Sequence, residues 1–217
     1  MRTLRIIALL LLFASPAVAA SAATAPGPPA DPAFDETLAA ASRAIERHGI
    51  TDSAMVEIQG ALARLAAQPA LADRAALHAR HATAGANAAV LASRGAEGLT
   101  LYLSRFQPGH ATAVHDHESW GVLHVLEGRD HYIHWAVDHD AADSSRAEVR
   151  QILGTFLTPG SSIYWFPPPH DIHTQEAVDG TVWELVLAGR NFLSPSVLAR
   201  RHAYDPKTGG VSPITTR

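Results

Sequence analysis

Between Pro32 and Pro69 the apolar residues recur every three or four positions, whereas after Leu99 they fall into short runs of alternating or continuous apolar character. The first pattern is that of amphipathic helices and the second that of β-strands. Asp31 before Pro32 reads as an N-cap followed by proline at the first helical position, and His48-Gly49 as a C-terminal stop. A second helix is predicted from Asp52 or Ser53, with Met55, Ile58, Leu62 and Leu65 on one apolar face and Pro69 closing the segment. Both helices read as packing elements.

The strand-like runs are "LTLYLSRF", "GVLHVLEG", "HYIHWAV", "EVRQILGTFL", "SSIYWF" and "TVWELVL". Many short strands at close intervals predict an all-β sandwich or barrel. "DHDAADSSRA" reads as a polar loop between two of them, and "DPKTGGVSPITTR" as a mobile tail. The resulting organisation is a signal peptide at 1–19, a linker at 20–30, a helical segment packed on the barrel at 31–92, the barrel at 93–204 and a tail at 205–217.

The amino terminus carries Arg2 and Arg5, an apolar run from Ile6 to Ala14, and Ala17-Val18-Ala19. This is the layout of a cleaved secretory signal, too short to span a membrane comfortably, and it predicts a periplasmic or secreted bacterial protein with no membrane contact once cleaved. The following Ala/Pro/Gly-rich "SAATAPGPPA" reads as a linker. With no cysteine, disulfides, thiolate ligands and cysteine nucleophiles are excluded. The formal charge is −4; without Arg2 and Arg5 it is 15 − 21 = −6, which argues against nucleic acid as a partner.

Chemistry is signalled by histidine. Nine of the thirteen histidines lie between His110 and His173. In a strand, residues two apart share a face, so His115 and His117 project together, close enough to grip one ion. The spacing around them is Gly109, five residues, His115, one, His117, three, Gly121, six, Gly128. This resembles the first motif of the cupin superfamily, with Gly121 where most members carry a metal-binding glutamate. "SSIYWFPPPHDIH" resembles the second motif, matching its proline with Pro168 and its ligand with His173; His170 stands where glycine is usual.

Within the cupins, "PGHATAVHDHESWGVLHVLEG" is similar to the bacterial branch of the cysteine dioxygenase family. The resemblance runs from about Asp31 to Leu193. It implies a double-stranded β-helix, or jelly-roll barrel, behind an N-terminal helical segment. It also implies a mononuclear non-haem centre of His115, His117 and His173, in which Fe(II) directs the insertion of both atoms of dioxygen into a thiolate sulfur. Zinc, copper, nickel and manganese are the alternatives three imidazoles admit, and a chain that acquires its metal outside the cytoplasm is open to them. Three neutral imidazoles leave a divalent ion its full charge and several open positions, whereas a structural zinc site tends to be closed by four protein ligands.

Two features of that family are missing. Its serine-histidine-tyrosine relay would fall in "VWELVLAG", where the alternation puts Trp183, Leu185 and Leu187 on the pocket face beside Gly121; a one-residue slip would bring Glu184 there instead. Its substrate-carboxylate arginine would fall in "GANAAV", which has none, with Arg80 and Arg94 nearby. His170 reads either as a proton-shuttling or substrate-orienting group or as a plain rim residue. Trp120, Tyr164, Trp165 and Phe166 read as barrel packing. The reading is therefore an exported metal-dependent cupin, a thiol dioxygenase first, acting on a small molecule and dioxygen. The alternatives are a non-catalytic metal- or ligand-binding cupin, and a hydrolase or isomerase using the metal as Lewis acid with Glu184 or His170 as acid-base group. A homodimer is left open.

Overall fold

The computed structural model describes residues 31–82 and 87–214, so the signal and linker segments lie outside the described residues. Helix α1 spans Pro32–His48, with the Asp31 carboxylate accepting from the Ala33 amide and Gly49 turning the chain at φ 67°. Helix α2 spans Asp52–Ala66 and buries Met55, Ile58, Leu62 and Leu65, the face its periodicity predicts. A third helix, α3, covers Arg74–His81. No described helix is long and apolar enough to cross a membrane.

Among the described residues nine strands follow: β1 Ala88–Ser93, β2 Thr100–Phe106, β3 Val114–His115, β4 Gly121–His139, β5 Ala147–Leu157, β6 Ser162–Trp165, β7 His173–Ala188, β8 His202–Tyr204 and β9 Val211–Pro213, with a single turn of helix, α4, at Pro195–Leu198. They form one antiparallel sheet in the order β1-β2-β7-β3-β8-β9, with β4 pairing β5, β6 and β7. This is the all-β core behind a helical segment that the sequence predicts. Three boundaries differ. Ala88–Ser93, placed with the helices, pairs with β2. "GVLHVLEG" and "HYIHWAV" are one strand, because Gly128 (φ 83°) sits in a bulged stretch of β4 rather than in a turn. Within the tail, expected to be mobile, Val211–Pro213 forms β9 against β8.

The two faces of the sheet do different work. Leu101, Leu103, Val122, Trp183, Leu185 and Leu187 pack against α1 and α2 residues such as Leu38, Met55 and Leu62. The opposite face encloses a second core of Tyr102, Leu123, Val125, Tyr132, Trp165, Val186 and Phe192. Burying both faces explains why "VWELVLA" reads as nearly continuous apolar sequence.

Candidate metal centre

Strand β3 is only two residues long, yet it lies between β7 and β8, and its register puts His115 directly opposite His173. Cross-strand partners project to the same face with Cβ atoms about 5 Å apart. Two residues on, His117 follows onto that face, and the three ring centroids stand 4.7, 5.0 and 4.7 Å apart. One ligand atom from each of the three lies within 4.8 Å of the others.

The intervening Asp116 points the other way and fastens the motif. Its carboxylate accepts from the His202 amide at 2.9 Å and the Tyr204 hydroxyl at 3.0 Å, while its carbonyl accepts from Arg201 Nε at 2.7 Å. Arg201 Nη1 also donates to the Phe192 carbonyl. Asp171, just before β7, accepts from the His117 amide at 3.0 Å and so ties the two motifs together. Glu118 takes the left-handed conformation (φ 57°) that swings the chain from His117 into β4.

All three imidazoles are poised to be neutral. Burial, then the nearby Arg201 guanidinium, pushes His115 down to about 4, and burial likewise holds His117 and His173 well below the ordinary imidazole range. Neutral imidazole is the form that binds metal. His115 Nδ1 donates to the Ala113 carbonyl at 2.8 Å, which leaves Nε2 as its free lone pair. His117 Nε2 and His173 Nε2 stand 3.3 Å apart. Two nitrogens each about 2.1 Å from one ion and about 90–110° apart are separated by about 3.0–3.4 Å, so the His117–His173 pair is spaced as two ligands of one divalent transition metal, with His115 the third donor beside them.

The walls are aromatic. Trp165 lies with its centroid 4.8 Å from that of His173 and 5.3 Å from that of His117; Phe192 meets His117 edge-on at 4.8 Å; Tyr132 leans over His173 at 5.0 Å. Gly121 supplies no ligand, but it does not open room for substrate as expected. The indole of Trp165 fills the space a side chain there would need, held by its Nε1 donating to the Ser119 carbonyl at 3.0 Å.

The expected apolar pocket wall is also corrected. Trp183, Leu185 and Leu187 face the helices, with Trp183 packed edge-on to His78 and against the Arg105 guanidinium. Register shifts between Val125 and Asp130 of β4, opposite Asp179-Gly180-Thr181, exchange the two faces of β7 midway. His173 and Gln175 therefore face inward in the first half, and Glu184 and Val186 in the second. Glu184 is fully buried, hydrogen-bonded to Gln175.

His170 is exposed on the rim beyond the cis Pro168-Pro169 bond, its amide donating to the Pro167 carbonyl. Arg94 pairs with Asp35 on α1 at 3.5 Å, and Arg80 is exposed on α3. Trp120, Tyr164 and Phe166 pack against the helix-facing core, as read from the sequence. What sequence reasoning missed is Arg201, the buried cation beside the histidines, and the polar residues Asp130 and Gln175. Arg201 sits in a stretch with no motif to flag it; the alternation of "GRDHYIHW" could have flagged Asp130 as a residue on the face of Tyr132.

Neither a protein-family model nor a curated protein matches the chain. Among solved structures, a chain from a study of DMSP lyases is 17% identical over 49% of this chain and 44% of its own length, with a TM-score of 0.33. Oxalate decarboxylase from Bacillus subtilis is 17% identical over 46% of this chain and 23% of its own, with a TM-score of 0.35. A cupin superfamily protein from Desulfitobacterium hafniense is 15% identical over 48% of this chain and 76% of its own, also at 0.35. The chain thus spans less than half the length of the first and under a quarter of the second. At TM-scores this low none of the three bears on activity.

Proposed function

We propose that this chain is an exported cupin holding one divalent metal on His115, His117 and His173, and that it oxidises a small thiol to the sulfinate with dioxygen. The observation that carries the reading is the convergence of three neutral imidazoles without a carboxylate at the position of Gly121. Bound there, ferrous iron would supply the redox and Lewis-acid chemistry, keeping its full positive charge toward an anionic ligand.

The chain's own residues do the rest. Asp116, Asp171 and Arg201 hold the motif backbone and therefore the imidazoles. Trp165, Phe192 and Tyr132 exclude water, which strengthens every charge interaction at the site. Trp165, packed against Gly121, puts an aromatic wall beside His117 and His173 where a fourth ligand would otherwise stand.

Oxygen uptake by the iron-loaded mature protein over a panel of small thiols tests this. We expect uptake with at least one thiol and sulfinate in equal amount, with free cysteine poor for want of an arginine in "GANAAV". Tight metal binding with no uptake on any thiol would replace the reading by the second one, a metal-binding cupin without oxidase activity.

A further inference from the structure

Inside the barrel, apart from the three histidines, two acidic side chains meet. Asp130 comes from β4 and Glu184 from the second half of β7; each is 0% exposed. A single amide nitrogen, Gln175 Nε2, donates to Asp130 Oδ2 at 3.2 Å and to Glu184 Oε2 at 2.7 Å, which uses both of its hydrogens. The Glu176 amide donates to the other Asp130 oxygen at 3.0 Å. Two buried carboxyl oxygens therefore stand on one nitrogen, a closeness that repels unless one of the two groups carries a proton.

Among the described residues two buried polar atoms, Glu184 Oε1 and the hydroxyl of the 1% exposed Tyr132, have no partner, and the charges of Asp130 and Glu184 both act on Tyr132. An unsatisfied acceptor and an unsatisfied donor, both buried, mark a site for a polar ligand the size of water. Tyr132 is the bridge outward, since the same ring leans on His173.

We propose that Asp130 and Glu184 hold one proton between them and, through a buried water bound by Glu184 Oε1 and Tyr132, take up the proton that a thiol releases when it binds at the metal centre. The uptake rests on the thiol reading above; the shared proton does not. In that step the S–H bond breaks and the electron pair stays on sulfur. The Tyr132 hydroxyl and the water each accept one proton as they give up another, and a new O–H bond forms on the carboxyl pair, whose charge goes from minus one to zero.

The surroundings favour this arrangement. Burial pushes Asp130 up to about 6, and burial together with Asp130 holds Glu184 well above the carboxylate range. The charged and titratable groups facing the pair are few. From β4 these are Tyr132 and, at a distance, His131, whose ring stacks on Phe156 and faces Glu176. Asp171 acts on Tyr132, and from β2 Ser104 stands opposite Glu184. No arginine or lysine among the described residues pairs with either carboxyl.

Infrared spectroscopy of the metal-free protein tests the shared proton. At neutral pH the wild type should show a protonated-carboxyl band that shifts in heavy water and is lost in Glu184→Gln, while Tyr132→Phe keeps it. No such band, or one that survives Glu184→Gln, overturns the proposal. Uptake is read by calorimetry of 2-mercaptoethanol binding to the zinc-loaded protein in two buffers of different ionisation heat. A thiol that binds as thiolate at pH 7 sheds about one proton, so Glu184→Gln should release close to that number to the buffer and the wild type far fewer. Equal release from the two also overturns the proposal. If the zinc protein binds no thiol, the thiol reading and the uptake step fall together, and the infrared band alone decides the shared proton.

Discussion

The indole of Trp165 occupies the space that any side chain on Gly121 would need, although the two residues are simple neighbours across the β4–β6 ladder. Glycine here makes way for a tryptophan that walls two of the three imidazoles. Gly121→Glu therefore should not create a four-ligand site, as spacing alone suggests. Overpacking a dense core costs about 1–3 kcal/mol, and Gly121→Ala should already lose that much in chemical denaturation. Gly121→Glu combined with Trp165→Ala should recover part of the loss; a fully stable Gly121→Glu protein with tighter metal binding would contradict the assignment.

Alanine at His115, His117 or His173 should each abolish stoichiometric metal binding as measured by elemental analysis. The drop in affinity should exceed the ten- to hundredfold typical of changes to outer partners of metal ligands. Metal should also stabilise the fold, by about 2.7 kcal/mol when free metal is about a hundredfold above Kd. Chelation should lower Tm accordingly in the wild type and leave the alanine variants unmoved.

Asp116 and Arg201 shape the site without facing it as ligands. Asp116→Ala strips acceptors from the His202 amide and the Tyr204 hydroxyl beside a buried guanidinium. Breaking such a buried charged network costs about 3–5 kcal/mol. Asp116→Asn keeps the shape and should cost less. Denaturation midpoints of the two variants check the order, and metal affinity should fall along with stability.

Asp130 should leave a signature in the pH dependence of stability of the metal-free protein. Its folded value, about 6, lies above the ordinary aspartate value, so between about 4 and 6 the folded state binds more protons than the unfolded state. Stability from this group is present at the acid end and is lost as pH rises through that window, by up to about 3 kcal/mol for a shift of about two units. Asp130→Asn should remove the fall. The check is the wild-type minus variant difference in unfolding free energy from pH 4 to 7; a difference that is flat or rises with pH would sink the assignment.

By itself the sequence determined the helices, through Asp31-Pro32, His48-Gly49 and an apolar face at helical spacing, because those signals act over one or two turns of chain. It also marked His115 and His117, since residues two apart in a strand share a face, and His173 was implied by the resemblance of "SSIYWFPPPHDIH" to a second motif. Which face of β7 lines the interior was decided only in the tertiary structure. Side chains alternate with a period of two, so the shifts near Gly128 and Gly180 exchange inside for outside, turning Trp183, Leu185 and Leu187 to the helices and Glu184 inward. Nor does any local pattern announce Arg201. It reaches Asp116, 85 positions earlier, only because β3 and β8 pair, and a contact of that range is a property of the folded sheet.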